Sequence, residues 1–205
     1  MFPFVTLTLG ATSCAIFYYW GVWNNRRAER TFVFSEMNFF KNKNYQTFLL
    51  SPLSFENSFF FYSNLPGLLY AGYLIERKFG SKILLGAYLL DCTASALTTA
   101  VVHRKIGYHE VQRRGRFSNT NGNLALYLVS LFTACKPDYR LYYGKYMATN
   151  IYFGYVMAAY LVLYFTTHLV SGVNTRHVGA QNHNETHYVA IALGVISGVM
   201  LKRRL

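Results

Sequence analysis

The sequence has few charged residues and very few acidic ones. Charged residues make up 14% of the chain, and eight aspartates and glutamates stand against 20 lysines and arginines. The charges lie in short clusters between apolar runs, and no hydrophilic stretch is long enough to bury a core of its own. These stretches leave almost no room for a water-soluble domain, and residues 1–205 are predicted to form a single membrane domain.

Cysteine is also scarce. Cys14, Cys92 and Cys135 all fall within or at the ends of apolar runs, with no paired spacing. Disulfide frameworks and cysteine zinc sites need such spacings, so neither is expected. The first apolar run lacks a preceding basic stretch and a small-residue cleavage pattern, which predicts a retained helix rather than a signal peptide.

Long apolar runs are what the chain does contain, because 53% of its residues are hydrophobic and 18% are aromatic. A helix needs about 20 residues to cross about 30 Å of hydrocarbon. Runs of suitable character lie at roughly 3–23, 48–75, 80–102, 121–135, 150–172 and 186–201. The sequence therefore predicts an all-α membrane protein with six transmembrane helices.

The net charge is +12, and the 20 lysines and arginines divide nine against eleven between the two predicted sides of the membrane, so they do not fix the orientation. Nucleic acid is not an expected partner, because the charges lie between membrane spans. The densest basic cluster suits anionic lipid headgroups such as those of cardiolipin, or an acidic partner subunit. A solvated loop is the alternative interpretation. The residues of this cluster are Arg104, Lys105, Arg113, Arg114 and Arg116.

The second predicted crossing contains polar and small residues that are unusual inside a membrane. Asn64 and Glu76 are costly there unless neighbouring helices satisfy their side chains. Gly72, Glu76 and Gly80 are spaced four apart, which predicts one helix face on which glycine allows close backbone approach. Glu76, near the membrane boundary, is expected to accept hydrogen bonds from a loop.

These residues resemble a known family. Asn64, followed by Gly72, Glu76 and the Gly80-Ser81-Lys82 turn, is similar to the second helix and following turn of rhomboid intramembrane proteases. The resemblance extends through the predicted fourth helix, which opens on Asn121 and Gly122, to the sixth, which opens on His187, and covers roughly residues 45–201. It implies a six-transmembrane-helix rhomboid-like bundle.

The resemblance also implies that the usual catalysis is lost. Active rhomboids carry a serine in a Gly-x-Ser-Gly turn, whereas this chain reads Asn119-Thr120-Asn121-Gly122, and a carboxamide is no nucleophile. His187 matches the catalytic base, and Ala190 and Gly194 follow where the family usually has two glycines. Ser118 and Thr120 offer hydroxyls, but at displaced positions.

The positions that stabilise the oxyanion in the family are incomplete as well. Asn64 matches one donor, but Phe60 and Phe55 stand in place of two histidines, and Gln46-Thr47 falls near the family's first-loop tryptophan-arginine pair. Losing one oxyanion donor costs about a hundredfold or more in rate. An active serine protease is therefore the least favoured function.

Two further groups of titratable residues have simpler interpretations. His183 and His187 share a metal-ligand spacing, but they do not form the His-Glu-x-x-His pattern, and no metal or other cofactor is expected apart from a bound phospholipid. Asp91 lies midway along the third predicted crossing, with His168 on the fifth as the one comparably placed partner. A structural hydrogen bond to a neighbouring helix is favoured over a proton relay.

The sequence thus favours a non-enzymatic, rhomboid-like pseudoprotease that packs against other membrane-protein subunits. The expected setting is an accessory or scaffolding role in a mitochondrial inner-membrane complex, either of the respiratory chain or an ATP synthase. The small hydrophilic fraction, the basic charge and the absence of a secretory signature favour this setting. The alternative is a derlin-like or translocase-associated protein that binds membrane-protein clients, with the endoplasmic reticulum as its location.

Overall fold

Helices dominate the fold. The computed structural model describes residues 2–22, 31–32, 34, 37–55, 58–106, 123–135, 140–143, 147–152, 159, 162 and 185–203. The helices longer than ten residues within these ranges are α1 (Phe4–Phe17), α2 (Ser58–Phe79), α3 (Ser81–Ile106), α4 (Asn123–Cys135) and α5 (Glu185–Lys202). The helical core agrees with the predicted all-α class, and one short hairpin is its exception.

Helix α3 has the length and composition of a membrane span. Its segment Ser81–Val101 is 21 residues long and rich in apolar side chains. At 1.5 Å per residue this segment extends about 31 Å, the thickness of the hydrocarbon core of a bilayer. Within the described ranges it is the one helix that meets both criteria, and shorter apolar helices lie at Phe4–Trp20, Leu124–Cys135 and His187–Lys202. These helices support membrane association, while the count of six crossings stays a prediction.

Helices α1 and α2 pack as an antiparallel pair. Near the start of α1, Thr6 lies against Gly72, and one turn later a Cβ built on Gly10 would clash with the Leu69 side chain. At the other end of the pair, the Phe17 and Phe61 rings stack at 4.0 Å between centroids. Because the positions on α2 fall as those on α1 rise, the two helices run in opposite directions.

Helices α4 and α5 approach each other closely through small residues. A Cβ built on Gly194 would lie 2.5 Å from the Tyr127 carbonyl oxygen, and one on Gly198 would lie 2.5 Å from that of Leu131. Because the contacted position on α4 rises from Tyr127 to Leu131 as the position on α5 rises from Gly194 to Gly198, the two helices run parallel. Glycine at both positions therefore lets the backbones meet, as small residues do between membrane helices.

Hydrogen bonds reinforce the contact between α4 and α5. The Tyr127 hydroxyl lies 3.0 Å from Ser197 Oγ, and the Cys135 thiol donates to the Gly198 carbonyl at 3.2 Å. Almost the whole of α4 is buried, including Leu124, Leu126 and Leu128. Helix α4 is therefore the centre of the bundle, and α2, α3 and α5 surround it.

The second predicted crossing is not one continuous helix from 48 to 75, so that boundary is wrong. A short helix, Gln46–Leu50, passes into a 3₁₀ turn, Ser51–Leu53, and α2 then begins at Ser58 and runs to Phe79. The break comes at Ser54, which is extended (φ −100°, ψ 140°). Its hydroxyl lies 2.9–3.1 Å from the carbonyl oxygens of Ser51, Leu50 and Phe32. A polar side chain that satisfies carbonyl groups thus makes a buried break possible.

The fifth predicted crossing begins in a β-strand instead of a helix. Strand β1 (Arg140–Tyr143) pairs antiparallel with β2 (Met147–Tyr152), and Tyr142 faces Ala148. The helix predicted from 150 is therefore wrong at residues 150–152, where hydrogen bonds to a neighbouring strand satisfy the backbone. Apolar runs of this length cannot distinguish a helix from a strand by themselves. Apart from residues 159 and 162, the rest of the run, 153–172, lies outside the described residues.

The other four predicted runs coincide with helices. Helix α1 continues as a π-helical turn, Tyr18–Val22, and α3 extends to Ile106. Helix α4 begins at Asn123 and α5 at Glu185, each within a few residues of the expected start. Gly80, placed between α2 and α3, has φ of +89°, which glycine adopts without the steric cost of a side chain.

Substitution of Gly194 by alanine tests the close packing of α4 and α5. The Gly194→Ala variant should lose about 1–3 kcal/mol of unfolding free energy, because the added methyl group forces the two backbones apart. Gly86→Ala is the matched control, since Gly86 is exposed on α3 with no atom within 4 Å of an added Cβ. The unfolding free energy of Gly86→Ala should stay unchanged or increase by up to about 1 kcal/mol, because alanine has the higher helix propensity.

The measurement is reversible unfolding of both variants in mixed detergent micelles with increasing sodium dodecyl sulfate. Equal stability of Gly194→Ala and Gly86→Ala would contradict the proposed backbone contact.

Candidate functional site

The position matched to the catalytic base lies at the start of α5. His187 is 1% exposed, within the first turn of the helix. Ala190 and Gly194 follow on the same buried face, and Gly194 contacts the backbone of α4. Asn121 and Gly122 directly precede α4 in the chain but lie outside the described residues.

The positions matched to the oxyanion stabilisers lie on and before α2. Asn64 is fully buried, and its side-chain amide lies 3.4 Å from Ser63 Oγ. Phe60 lies in the first turn of α2, where the structure describes its backbone. Phe55 precedes the helix and is 1% exposed.

Phe55 belongs to a small aromatic cluster, formed with Phe17 and Phe61. The Phe55 and Phe61 rings meet edge to face at 5.7 Å, and Phe61 stacks on Phe17 with an angle of 4° between the planes. Cys14 and Leu65 pack against the same cluster. The Phe55 side chain is a phenyl ring, so the position where the resemblance calls for a histidine contributes no side-chain hydrogen-bond donor.

The position matched to the family's first-loop pair is part of the short helix that precedes α2. Thr47 is fully buried, and its hydroxyl donates to the Asn44 carbonyl at 2.8 Å. The Tyr88 hydroxyl of α3 donates to the Leu49 carbonyl. The Tyr88 contact thereby ties the short helix to α3, and Tyr88 plays no part in the resemblance.

Glu76 is the best-connected polar side chain of the site. Its Oε1 accepts from the Val5 amide at 3.0 Å and from Ser81 Oγ at 2.6 Å. Its Oε2 accepts from the Thr6 amide at 2.8 Å and from Thr6 Oγ1 at 2.7 Å. Each oxygen therefore receives one backbone N–H and one hydroxyl, an arrangement that favours the ionised carboxylate.

The carboxylate satisfies a need that α1 cannot meet locally. The N-cap of α1 is Pro3, and no side chain in its own turn caps the helix. The first amides of a helix lack intrahelical acceptors and carry a partial positive charge. Glu76 supplies the missing acceptors from a distance of 70 residues along the chain. The prediction that Glu76 accepts hydrogen bonds from a loop is therefore wrong in part. Three of its four donors belong to Val5 and Thr6 in the first turn of α1, and only Ser81 follows the turn after α2.

The two glycines beside Glu76 have different roles. Gly72 faces α1, and a Cβ built there would lie 3.1 Å from Thr6 Cγ2. Gly80 lies outside α2, and no atom falls within 4 Å of a Cβ built on it. The predicted packing role of Gly80 is thus wrong. Its amide donates to the Glu76 carbonyl at 2.9 Å, which ends the helix and brings Ser81 to the carboxylate.

Asp91 has a very different environment from Glu76. It is fully buried on α3, and neither carboxylate oxygen has a hydrogen-bond partner. The expected structural bond to a neighbouring helix is therefore wrong for the part of the chain that the structure describes. His168, its suggested partner, lies outside those residues.

Two predicted groups can be placed only in part. Arg104 and Lys105 belong to the last turn of α3, for which the structure gives the backbone course. Arg113, Arg114 and Arg116 of the basic cluster, like His183 of the histidine pair, lie outside the described residues. Lipid binding by the basic cluster stays a prediction.

The sequence reasoning missed Val5, Thr6 and Ser81. Ser81 follows Glu76 by five residues in the turn, so its spacing offered a signal. The sequence offered no such signal for Thr6, because a threonine in an apolar run does not identify a partner 70 residues away.

Comparison with protein-family models and with curated protein sequences finds no match for this chain.

Replacement of Glu76 by glutamine tests the capping of α1. Glu76→Gln should lower the unfolding free energy by about 2–3 kcal/mol, because the amide carries no charge and its NH2 group meets donors. Amide exchange at Val5 and Thr6 should also accelerate. Arg77→Gln is the matched control on the exposed side of α2, and it should stay within about 0.5 kcal/mol.

Hydrogen exchange monitored by mass spectrometry on the N-terminal peptide, together with unfolding in mixed micelles, measures both effects. Unchanged exchange at the start of α1 in Glu76→Gln would show that the carboxylate does not cap the helix.

Proposed function

We propose that this protein is a proteolytically inactive, rhomboid-like membrane protein that serves as an accessory or scaffolding subunit of a mitochondrial inner-membrane complex. A respiratory-chain complex or an ATP synthase is the expected assembly, with anionic phospholipid such as cardiolipin at the basic cluster. The observation that carries the proposal is the burial of Phe55 in the aromatic cluster with Phe17 and Phe61.

This observation bears on function because proteolysis by a rhomboid needs polar, water-accessible groups at that position. Acyl transfer requires hydrogen-bond donors aimed at the developing oxyanion, and a phenyl ring provides none. Asn121 in place of the serine removes the nucleophile as well. Loss of both requirements favours a role in binding.

The contacts that hold the bundle together do not depend on catalytic groups. Glu76 anchors α1, and Gly194 and Gly198 bring α4 and α5 together. These contacts support a rigid frame that persists without chemistry. A rigid helical frame is what a subunit needs in order to position neighbouring subunits.

The outer faces of the helices offer surface for such neighbours. Large apolar side chains are exposed on α1, α3 and α5, among them Leu7, Leu97, Val195 and Met200. In a bilayer these faces contact lipid or other transmembrane helices. They supply area for subunit packing.

Isolation in a mild detergent tests the scaffold role. The chain should migrate on native gels with a large energy-transducing complex, in a fixed stoichiometry that survives gradient centrifugation. Lys82 and Lys202, which are both exposed, should form chemical cross-links to other subunits of that complex. Recovery as a free monomer, or with varied substoichiometric clients as for a derlin-like protein, would overturn the proposal.

A fluorophosphonate probe tests the loss of catalysis separately. The wild-type chain should show no covalent labelling, and Asn121→Ser should stay unlabelled. Restoring the hydroxyl does not restore the oxyanion donors, and each missing donor costs about 10²–10³ in rate. An active rhomboid protease in the same detergent is the positive control. Labelling of the wild type at Ser118 or Thr120 would identify an active hydrolase instead.

A further inference from the structure

Asp91 occupies the middle of the membrane-spanning helix. It lies ten residues after Ser81, the first residue of the span, and therefore about 15 Å along the helix axis. Its side chain is 0% exposed. A carboxyl group at this depth faces neither water nor a lipid headgroup.

The two tyrosine hydroxyls nearest to Asp91 are bonded to other groups. The Tyr88 hydroxyl, one turn earlier on α3, donates to the Leu49 carbonyl, and the Tyr127 hydroxyl of α4 is paired with Ser197. Neither oxygen of Asp91 accepts a hydrogen bond.

No described cation compensates a charge on Asp91. The titratable groups buried or half-buried on the described helices packed against α3 include the half-buried Cys14 of α1 and the buried Glu76 of α2, Tyr127 and Cys135 of α4, and His187 of α5. His187 is the one group among them that can become positive, and it makes no hydrogen bond with Asp91. Cys92 and Tyr88 on α3 itself are neutral at neutral pH.

Comparison with Glu76 shows what an ionised carboxylate requires in this bundle. The two side chains are equally buried, at 1% and 0% exposure. Glu76 receives hydrogen bonds from two backbone amides and two hydroxyls, whereas Asp91 receives none. An isolated carboxylate in a low-dielectric interior is strongly disfavoured, and such a group becomes neutral by taking up a proton.

We propose that Asp91 is a proton-binding site, so that the folded protein at neutral pH carries a neutral carboxylic acid at the centre of α3. The step is simple, because the carboxylate takes one proton from water as the helix enters the bundle and no other group is consumed. Glu76 stays ionised in the same molecule. The two buried acids therefore hold opposite protonation states for a geometric reason.

Infrared spectroscopy with isotope-labelled aspartate tests this assignment. The chain has two aspartates, Asp91 and Asp138, so labelling with aspartate carrying ¹³C in its side-chain carboxyl group marks these two groups alone. The folded wild type at neutral pH should show a labelled carbonyl band of a protonated acid. Asp91→Asn should remove that band, whereas the matched Asp138→Asn variant should retain it.

The result that overturns the proposal is a labelled spectrum with carboxylate bands alone, whether the charge on Asp91 is balanced by a bound cation or by another side chain. If Asp91→Asn does not fold, the Asp138→Asn variant isolates the Asp91 signal without it. In that variant a protonated band supports the proposal and a carboxylate band refutes it.

The pH dependence of unfolding provides a second readout. The unfolded chain releases the proton at neutral pH, whereas the folded chain holds it, so rising pH should favour unfolding of the wild type. Relative to Asp91→Asn, the unfolding constant of the wild type should increase about tenfold per pH unit near neutrality. Parallel pH profiles of the two proteins would contradict proton binding at Asp91.

Discussion

The Glu76 carboxylate joins three helices at one end of the bundle. Glu76 belongs to α2, and its carboxylate caps the N-terminus of α1 by accepting hydrogen bonds from the Val5 and Thr6 amides. It also accepts a hydrogen bond from the hydroxyl of Ser81, the first residue of α3. The alignment of α1 along α2 follows from this point, because once Thr6 is fixed beside Gly72 and Glu76, the aromatic cluster forms at the far end. Charge-assisted hydrogen bonds in an apolar surrounding are strong and directional, so they fix a register that apolar packing alone leaves loose.

The α4 and α5 pair is held by close backbone packing, whereas α1 and α2 are joined by a buried carboxylate. Its geometry depends on the lack of side chains at Gly194 and Gly198. Close backbone approach increases dispersion contacts where lipid tails remove the usual hydrophobic driving force. The residue that resembles a catalytic base, His187, lies at the start of this pair and is buried with it.

Much of the helix content could be predicted from the sequence, and the errors have physical causes. Apolar runs located α1, α3, α4 and α5, because a run of apolar residues is visible in the composition before the chain is folded. The break at Ser54 was missed, since it depends on a hydroxyl that satisfies carbonyls brought close by folding. The strand at Met147–Tyr152 was missed as well, because a short apolar run suits either a helix or a strand.

The sequence by itself predicted the helical class and the association with a membrane, because composition and the length of apolar runs do not depend on the fold. The tertiary structure alone decided what each buried acid does. Glu76 lies near the predicted membrane boundary and Asp91 midway along a predicted crossing, but neither position in the sequence identifies the groups that surround the carboxylate. Helix packing brought four donors to Glu76 and none to Asp91. The state of a buried charge is set by neighbours that are distant in sequence, so it emerges only when the helices are assembled.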